Sequence, residues 1–530
     1  MIRPVVMLAM VTLLATFSGF VREVITAYFF GTSAAADGLS VILFYYDTAV
    51  TFILYGGIGW ALVPLLSMYI VQRREGEGEL VATALTFWTC GVVALAALVA
   101  VWYAPQLTVL LLPDLHGYRY DVQVMLIRFC FPGLALVVAA GIISAILQAY
   151  QRFIVPMIGR LMLNLVIVAA TLIGARHWGI KAVAVGVEAG ACAQLLLVMW
   201  SLRLAGWTWR PGPVVSTVLL DLCKASLPGL AMIALMNLVQ GSIERFLLSG
   251  LVVGSLAAVN IAARTLSLVA GASLAIQTVA FSTMSRDRGS KDDAQTASRT
   301  MVQTLRTGLL LLVPISILVM TLSEPIVRLL FFRGEFDQAS VRMTSAALRW
   351  YALSIGPGFV FGIASRAFYV FRRPAYGILI AVATVTVAVT TDVVMLPELR
   401  HVAIPLGYSI GFFVAAVVGL FLVQRRTAAD VVRPVGVAAV QAYSLSALCL
   451  VAGHAVAHFV PTRYEQSPPW LVIIVFSSGA AFLGLYAVLC VLIRQTDAVV
   501  AFKTIIRFGE RTVKVIAAKS RVQFRSGRRW

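Results

Sequence analysis

Apolar stretches long enough to cross a bilayer recur along almost the whole chain, and no other feature restricts the fold so strongly. A helix needs about 20 residues to cross about 30 Å of hydrocarbon. Stretches that meet this run near residues 4–30, 38–70, 80–104, 123–149, 153–175, 180–202, 218–248, 252–283, 302–326, 344–370, 375–397, 402–423, 435–460 and 470–493. The pattern predicts an all-α membrane protein of about 14 transmembrane helices. Several of these stretches exceed 25 residues and contain Gly or Pro, so breaks inside them are expected. Hydrophobic residues make up 60% of the chain and charged residues 12%, against about 25% charged in a soluble domain. A soluble enzyme, a disordered chain and a collagen-like fibre are excluded. The first stretch follows Arg3 but lacks a small-x-small cleavage site, and Arg22-Glu23 lies in its continuation. It reads as a retained helix, not a signal peptide.

The net charge is +19, which in a soluble protein points to nucleic acid. Its location says otherwise. With the N-terminus inside, the cytoplasmic connections carry Arg73, Arg74, Arg152, Arg203 and Arg210, then Arg286, Arg288, Lys291 and Arg299. Arg372, Arg373, Arg425, Arg426 and Arg433 follow on the same side, and the opposite side is poorer in basic residues. This is the positive-inside bias, and it places both termini in the cytoplasm. The tail after residue 494 is basic, with Phe502, Ile505, Ile506 and Phe508 interleaved. It is expected to lie on anionic membrane lipid, and no nucleic-acid partner is expected.

Six cysteines fall inside apolar stretches with no CxxC pair, and five histidines are scattered. No metal, disulfide framework or cofactor is expected. There is no GxxxxGK[ST] and no insertion large enough for an ATPase domain. Any transport would draw on a gradient or the membrane potential.

An internal repeat is visible. Arg22 precedes Asp37 by fifteen residues through EVITAYFFGTSAAAD, and Arg245 precedes Asn260 by fifteen through FLLSGLVVGSLAAVN. Both segments have a mid-segment Gly, an Ala pair and a terminal Asp or Asn. Pro132-Gly133 and Pro357-Gly358 echo one another at the same offset of six helices. A parallel pseudo-repeat of two six-helix lobes plus two extra C-terminal helices follows. The expected boundaries are 1–205 for the N-terminal lobe, 206–430 for the C-terminal lobe, 431–494 for helices 13 and 14, and 495–530 for the tail.

Charges inside spans cost about 2.5–3.5 kcal/mol on insertion scales, so they face water or pair. Arg128, Arg306, Arg349, Asp221 and Lys224 lie near span ends, where snorkelling accounts for them. Arg264, midway through IAARTLSLVAG, cannot snorkel easily, and Arg22 follows Ser18-Gly19, a pair able to break or bend a helix. Both are candidates for a cavity that takes an anion, above all a phosphate, which suits the planar guanidinium. Arg160 and Glu188 are further charges within spans. Glu244 and Asp392 are candidates for ion coupling, with structural pairing as the alternative.

Several segments resemble the MurJ/MviN lipid II flippases of the multidrug/oligosaccharidyl-lipid/polysaccharide exporter superfamily. They are FSGFVREVITAYFFGTSAAADG, the run from LPDLHGYRYD to LQAYQRFIVP, SLPGLAMIALMNLVQGSIERFLLSG with NIAARTLSL, and RLLFFRGEFDQ through FYVFRRPAYG. The resemblance covers roughly residues 5–430 in order. It implies two lobes around a central cavity that opens to each face in turn, and a groove for the lipid tail on helices 13 and 14. It implies a lipid-linked saccharide as substrate, a role in peptidoglycan biosynthesis and cell shape, and a place in the bacterial inner membrane. Cell-wall synthesis proteins are candidate partners. A flippase of this kind makes and breaks no bond and is not an enzyme.

Carried over residue by residue, the family's cavity arginines fall on Arg22 and Arg264, and its loop acid falls on Asp37. Two more family arginines fall on Thr16 and Val50, and the acid before the helix 8 arginine falls on Ala263. Asp47 stands in a helix that is basic in the family. Glu23, Thr16, Asp47, Val50, Glu244 and Arg245 are thus further candidate cavity residues, in an N-lobe cavity expected to be less cationic than the family's. A flippase for another polyprenyl-linked glycan, or a small-molecule exporter, is the alternative. A non-transporting membrane scaffold, docking through its tail, is the alternative of another class.

Overall fold

The computed structural model describes residues 2–54, 58–210, 212, 224, 227, 230–287, 293–371, 373–427, 429–458 and 468–492. The predicted tail after residue 494 lies outside them, as do Asp221 and most of the first half of the stretch expected at 218–248. The described residues are helical almost throughout, as expected where lipid leaves backbone groups no outside partner. In chain order they form α1 (Ile2–Phe30), α2 (Ala34–Leu54), α3 (Ile58–Val71), α4 (Glu75–Trp102) and α5 (Ala104–Leu111). Next come α6 (Tyr118–Ala149), α7 (Ile154–Trp178) and α8 (Ile180–Leu204). A π-helical turn, Ala234–Val239, leads into α9 (Gln240–Ser249), followed by α10 (Ser255–Asp287), α11 (Asp293–Thr321) and α12 (Ser323–Phe331). The series ends with α13 (Gln338–Ala352), α14 (Ile355–Val370), α15 (Pro374–Leu399), α16 (Ala403–Thr427), α17 (Val432–His458) and α18 (Pro468–Leu492).

Of the stretch expected as one span at 38–70, α2 is described up to Leu54 and α3 from Ile58, and residues 55–57 lie outside the described residues. That expected at 344–370 is broken between α13 and α14, just before Pro357, whose ring and missing N–H oppose helix continuation. Ser18-Gly19 breaks nothing, since α1 runs on through it. Among the described residues, nine helical segments are long and apolar enough to cross a membrane, and three shorter ones are equally apolar. Large apolar side chains point outward along these helices. On α4, Phe87, Trp88, Val92, Leu95, Leu98 and Trp102 are all exposed, the surface expected of a protein whose solvent is lipid.

Two compact units are present. One comprises Met1–Gly271, Val327–Tyr351 and Arg372–Ala415, and the other Ala272–Ile326, Ala352–Phe371 and Ala416–Trp530. In the first unit α6 packs against α2, α4 and α8, and α7 packs against α1 and α8. Its core is aliphatic, with Ile42, Leu126, Cys130, Val183 and Val187 buried together. Pro132 lies inside α6 and interrupts its ladder. The freed Gly133 N–H donates to Glu188 Oε1 at 2.9 Å. The Tyr46 hydroxyl lies within hydrogen-bond reach of both the Cys130 carbonyl and Glu188 Oε1, the latter at 3.0 Å, and has one proton to give. A half-buried carboxylate thus receives a backbone N–H beside the proline.

In the second unit α11 packs against α14, α17 and α18. Phe359 lies across Gly308, and Tyr486 donates to the Leu310 carbonyl at 2.9 Å. Arg366 donates to Gln277 Oε1 and to the Gly362 carbonyl.

Both turns of the sequence repeat lie in the first unit. The mid-segment glycines Gly31 and Gly254 have φ of +52° and +93°, a region glycine enters without the cost a Cβ imposes. A Cβ at Gly31 would strike the Glu335 carbonyl, and one at Gly254 the Thr32 carbonyl. Close backbone approach and positive φ therefore demand glycine at the matching point of each half. Nearby, Asp337 caps α13 by accepting from Ser340 N–H and Oγ, both at 2.8 Å, and these bonds hold its carboxyl below the usual range.

Candidate functional site

Four helices of the first unit bring their charges together. Arg22 on α1 is buried, and its Nη1 donates to Asn164 Oδ1 on α7 at 3.1 Å. Asn164 Nδ2 in turn donates to Ser18 Oγ at 3.0 Å, one turn before Arg22. Ser18 thus ties α1 to α7. Glu23 lies 3.8 Å from Arg22 and accepts from Asn260 on α10 at 2.9 Å. Arg22 Nε has no hydrogen-bond partner among the described residues.

Asp47 on α2 is the hub. Its Oδ2 pairs with Arg264 on α10, and its Oδ1 lies 3.9 Å from Arg160 Nη2 on α7. The charges of Asp47, Arg264 and Arg160 all act on Arg22. Two guanidiniums therefore flank one carboxylate, and Arg22 lies within the field of all three charges. Arg22 is nearly closed off, at 7% side-chain exposure. Arg264 is 27% exposed, Asp47 32% and Arg160 38%. Such a cluster suits a bidentate, doubly charged anion such as a phosphate.

Asp37 has a different environment. It is 1% exposed and accepts from Gly254 N–H at 2.7 Å and Ala257 N–H at 2.8 Å, with Arg119 at 3.4 Å. Its carboxylate faces the N-terminus of α10, where unpaired N–H groups favour an anion. It ties the α1–α2 turn to the start of the helix that carries Arg264.

Thr16 is exposed on α1. Val50 is half-buried against the aliphatic core of the unit. Glu244 accepts from Gln240 Nε2 at 2.8 Å, on the helical turn after the π segment. Arg245 donates to the Gly241 carbonyl at 2.8 Å and stacks 3.5 Å from the Phe44 ring, one turn before Asp47 on α2. Asp392 is fully buried, and neither of its carboxylate oxygens has a hydrogen-bond partner among the described residues. Among the described residues no three His, Cys, Asp or Glu side chains converge as metal ligands.

Sequence reasoning named Arg22, Arg264 and Asp47 and left Arg160 without a role. The available signal was the spacing of Arg160 and Asn164, which lie one turn apart on one face of α7.

The fold is that of multi-pass transporters. A multidrug resistance MATE family transporter of the MOP superfamily, solved in an inward-facing conformation, superposes with a TM-score of 0.68 at 16% identity. That match covers 78% of this chain and 94% of the transporter. A lipid II flippase MurJ, solved in an inward closed conformation, superposes with a TM-score of 0.77 at 16% identity, covering 92% of this chain and 99% of that one.

Sequence comparison narrows the class. The family model described as lipid II flippase MurJ matches residues 26–476, and the chain belongs to that family. The lipid II flippase MurJ of Burkholderia cenocepacia is 23% identical over 414 residues, which cover 76% of this chain and 79% of that protein.

Proposed function

We propose that the protein is a flippase that carries the undecaprenyl-pyrophosphate-linked peptidoglycan precursor lipid II from the inner to the outer leaflet by alternating access. One observation supports this beyond family membership: Arg264 and Arg160, from two helices, meet at the partly exposed Asp47, with buried Arg22 within the field of their charges. The saccharide pyrophosphate enters a central cavity while its polyprenyl tail stays in lipid. Arg22 and Arg264 engage the pyrophosphate, and Asp37 holds α10 so that Arg264 is in place. Two six-helix lobes then rock about the headgroup and release it outside. An inside-negative potential favours outward movement of an anion by about 2.3 kcal/mol per charge per 100 mV. No bond is made or broken, so the protein acts as a transporter and not an enzyme.

The same reading has 14 spans in the inner membrane with both termini cytoplasmic. The lobes divide near residues 205 and 430, helices 13 and 14 bind the tail of the lipid, and the basic C-terminus touches anionic lipid. The experiment is complementation of a strain lacking its lipid II flippase. Growth supports the reading. Failure to grow, with the protein present in the membrane, contradicts it.

A second reading is favoured by Asp47, which places a carboxylate among the arginines. A flippase for another polyprenyl-linked glycan would keep the same fold and pyrophosphate site. It predicts build-up of that glycan, with lipid II normal, when the protein is depleted.

A further inference from the structure

We propose that Arg160 is the third anion-binding arginine of this chain, and that Asp47 is a built-in counterion which the incoming phosphate displaces. This rests on the flippase reading and adds to it residues that the sequence carry-over did not supply.

The geometry carries the argument. The two oxygens of Asp47 are divided between two guanidiniums, Oδ2 to Arg264 and Oδ1 to Arg160. That is the arrangement a phosphate adopts when its oxygens bridge two arginines. Arg160 is positioned by the same helix face that holds Arg22, since Asn164, one turn on, receives the Arg22 guanidinium. Thr16 and Val50 stand where the family resemblance expects arginine, and α7 supplies a cation to the same cluster from another direction.

Asp47 does not hold the fold as Asp37 does. Its hydrogen-bonding partner is a guanidinium, and its contact with Arg160 is long at 3.9 Å. Both members of that pair are about one-third exposed, at 38% and 32%, and pairs of that kind contribute little to stability. The charges acting on it are those of Arg264, Arg22 and Arg160. Charge bookkeeping agrees. Arg22, Arg160 and Arg264 set against Asp47 and Glu23 leave one net positive charge. With Asp47 turned away the net is two, which matches a pyrophosphate diester carrying one negative charge on each phosphorus. An empty site is thereby kept nearly neutral, and free anions must compete with a tethered carboxylate.

The test uses the full chain in lipid nanodiscs and measures binding of undecaprenyl pyrophosphate, undecaprenol and inorganic pyrophosphate. Undecaprenol lacks the anion, and inorganic pyrophosphate lacks the lipid. The wild type is expected to prefer undecaprenyl pyrophosphate to both. Asp47→Asn should tighten its binding about tenfold and Arg160→Ala should weaken it about tenfold, the weight of one hydrogen bond to a charged group. Arg160→Lys should recover part of the loss, and Asp47→Asn should have a smaller effect in the Arg160→Ala background. Undecaprenol binding should not move in any variant, which a merely structural role would not predict. Wild-type preference for undecaprenyl pyrophosphate that persists unchanged in Arg160→Ala, or weaker binding in Asp47→Asn, overturns this proposal and leaves the flippase reading standing. Absence of any preference over undecaprenol overturns both. Tighter binding of inorganic pyrophosphate than of the lipid assigns the site to a soluble anion and also overturns both.

Discussion

Asp37 and Asp47 lie ten residues apart on the same helix, and the chain uses them in opposite ways. Asp37 is 1% exposed and accepts two backbone N–H groups at the start of α10. Asp47 is 32% exposed and its partners are arginine side chains. A carboxylate closed off against a helix N-terminus is a joint, since moving it leaves buried donors unpaired. A carboxylate about one-third exposed among guanidiniums is a counterion, because guanidiniums accept another anion in its place. What separates fold from function here is the kind of donor, not the kind of acid.

The comparison can be broken most directly by deleting each acid. Asp37→Ala is expected to cost at least about 3 kcal/mol, because it leaves two buried N–H groups at the start of α10 without their acceptor and takes an ion-pair partner from Arg119. Asp47→Asn should stay within about 1 kcal/mol of wild type. Thermal unfolding in one detergent compares them, and equal losses would erase the distinction. Arg264→Ala should abolish transport while folded protein is recovered in normal amount, since Asp47 keeps Arg160 beside it. Full transport by that variant would remove Arg264 from the site.

Restoring the two family arginines gives a smaller, asymmetric effect. Thr16→Arg is expected to be tolerated on the exposed face of α1. Val50→Arg should lower stability by about 2 kcal/mol, because Val50 packs against the aliphatic core and arginine would bury a charge there. Protein yield and unfolding midpoint for each variant decide this. Removal of residues 495–530 should leave transport nearly intact. A loss as large as that of Arg264→Ala would favour the scaffold reading.

The helical membrane fold was legible because each span states its own length and apolarity locally. The expected and observed helices agree closely from Glu75 to Leu204 and from Pro374 to Leu492. Breaks were harder to place: Gly or Pro inside a long stretch signals one, as Pro357 does between α13 and α14, but Pro132 lies within an unbroken α6. At the site, Arg22 and Arg264 were legible because an unpaired guanidinium in lipid is costly. The partners were not. Asp37 meets backbone 217 and 220 residues away, and Asp47 meets Arg264 across 217. Arg160 lies near the start of its helix, where snorkelling is an equally good account of its charge. Only its register with Asn164 singled it out, and that register gains meaning once Arg22 is seen to reach Asn164.

The most direct test of the central claim is to deplete the protein in its own cell and label the lipid II exposed at the outer face of the membrane. A fall in surface lipid II, reversed by wild-type protein and not by Arg264→Ala, is the predicted result. Surface lipid II that stays normal through depletion would contradict it.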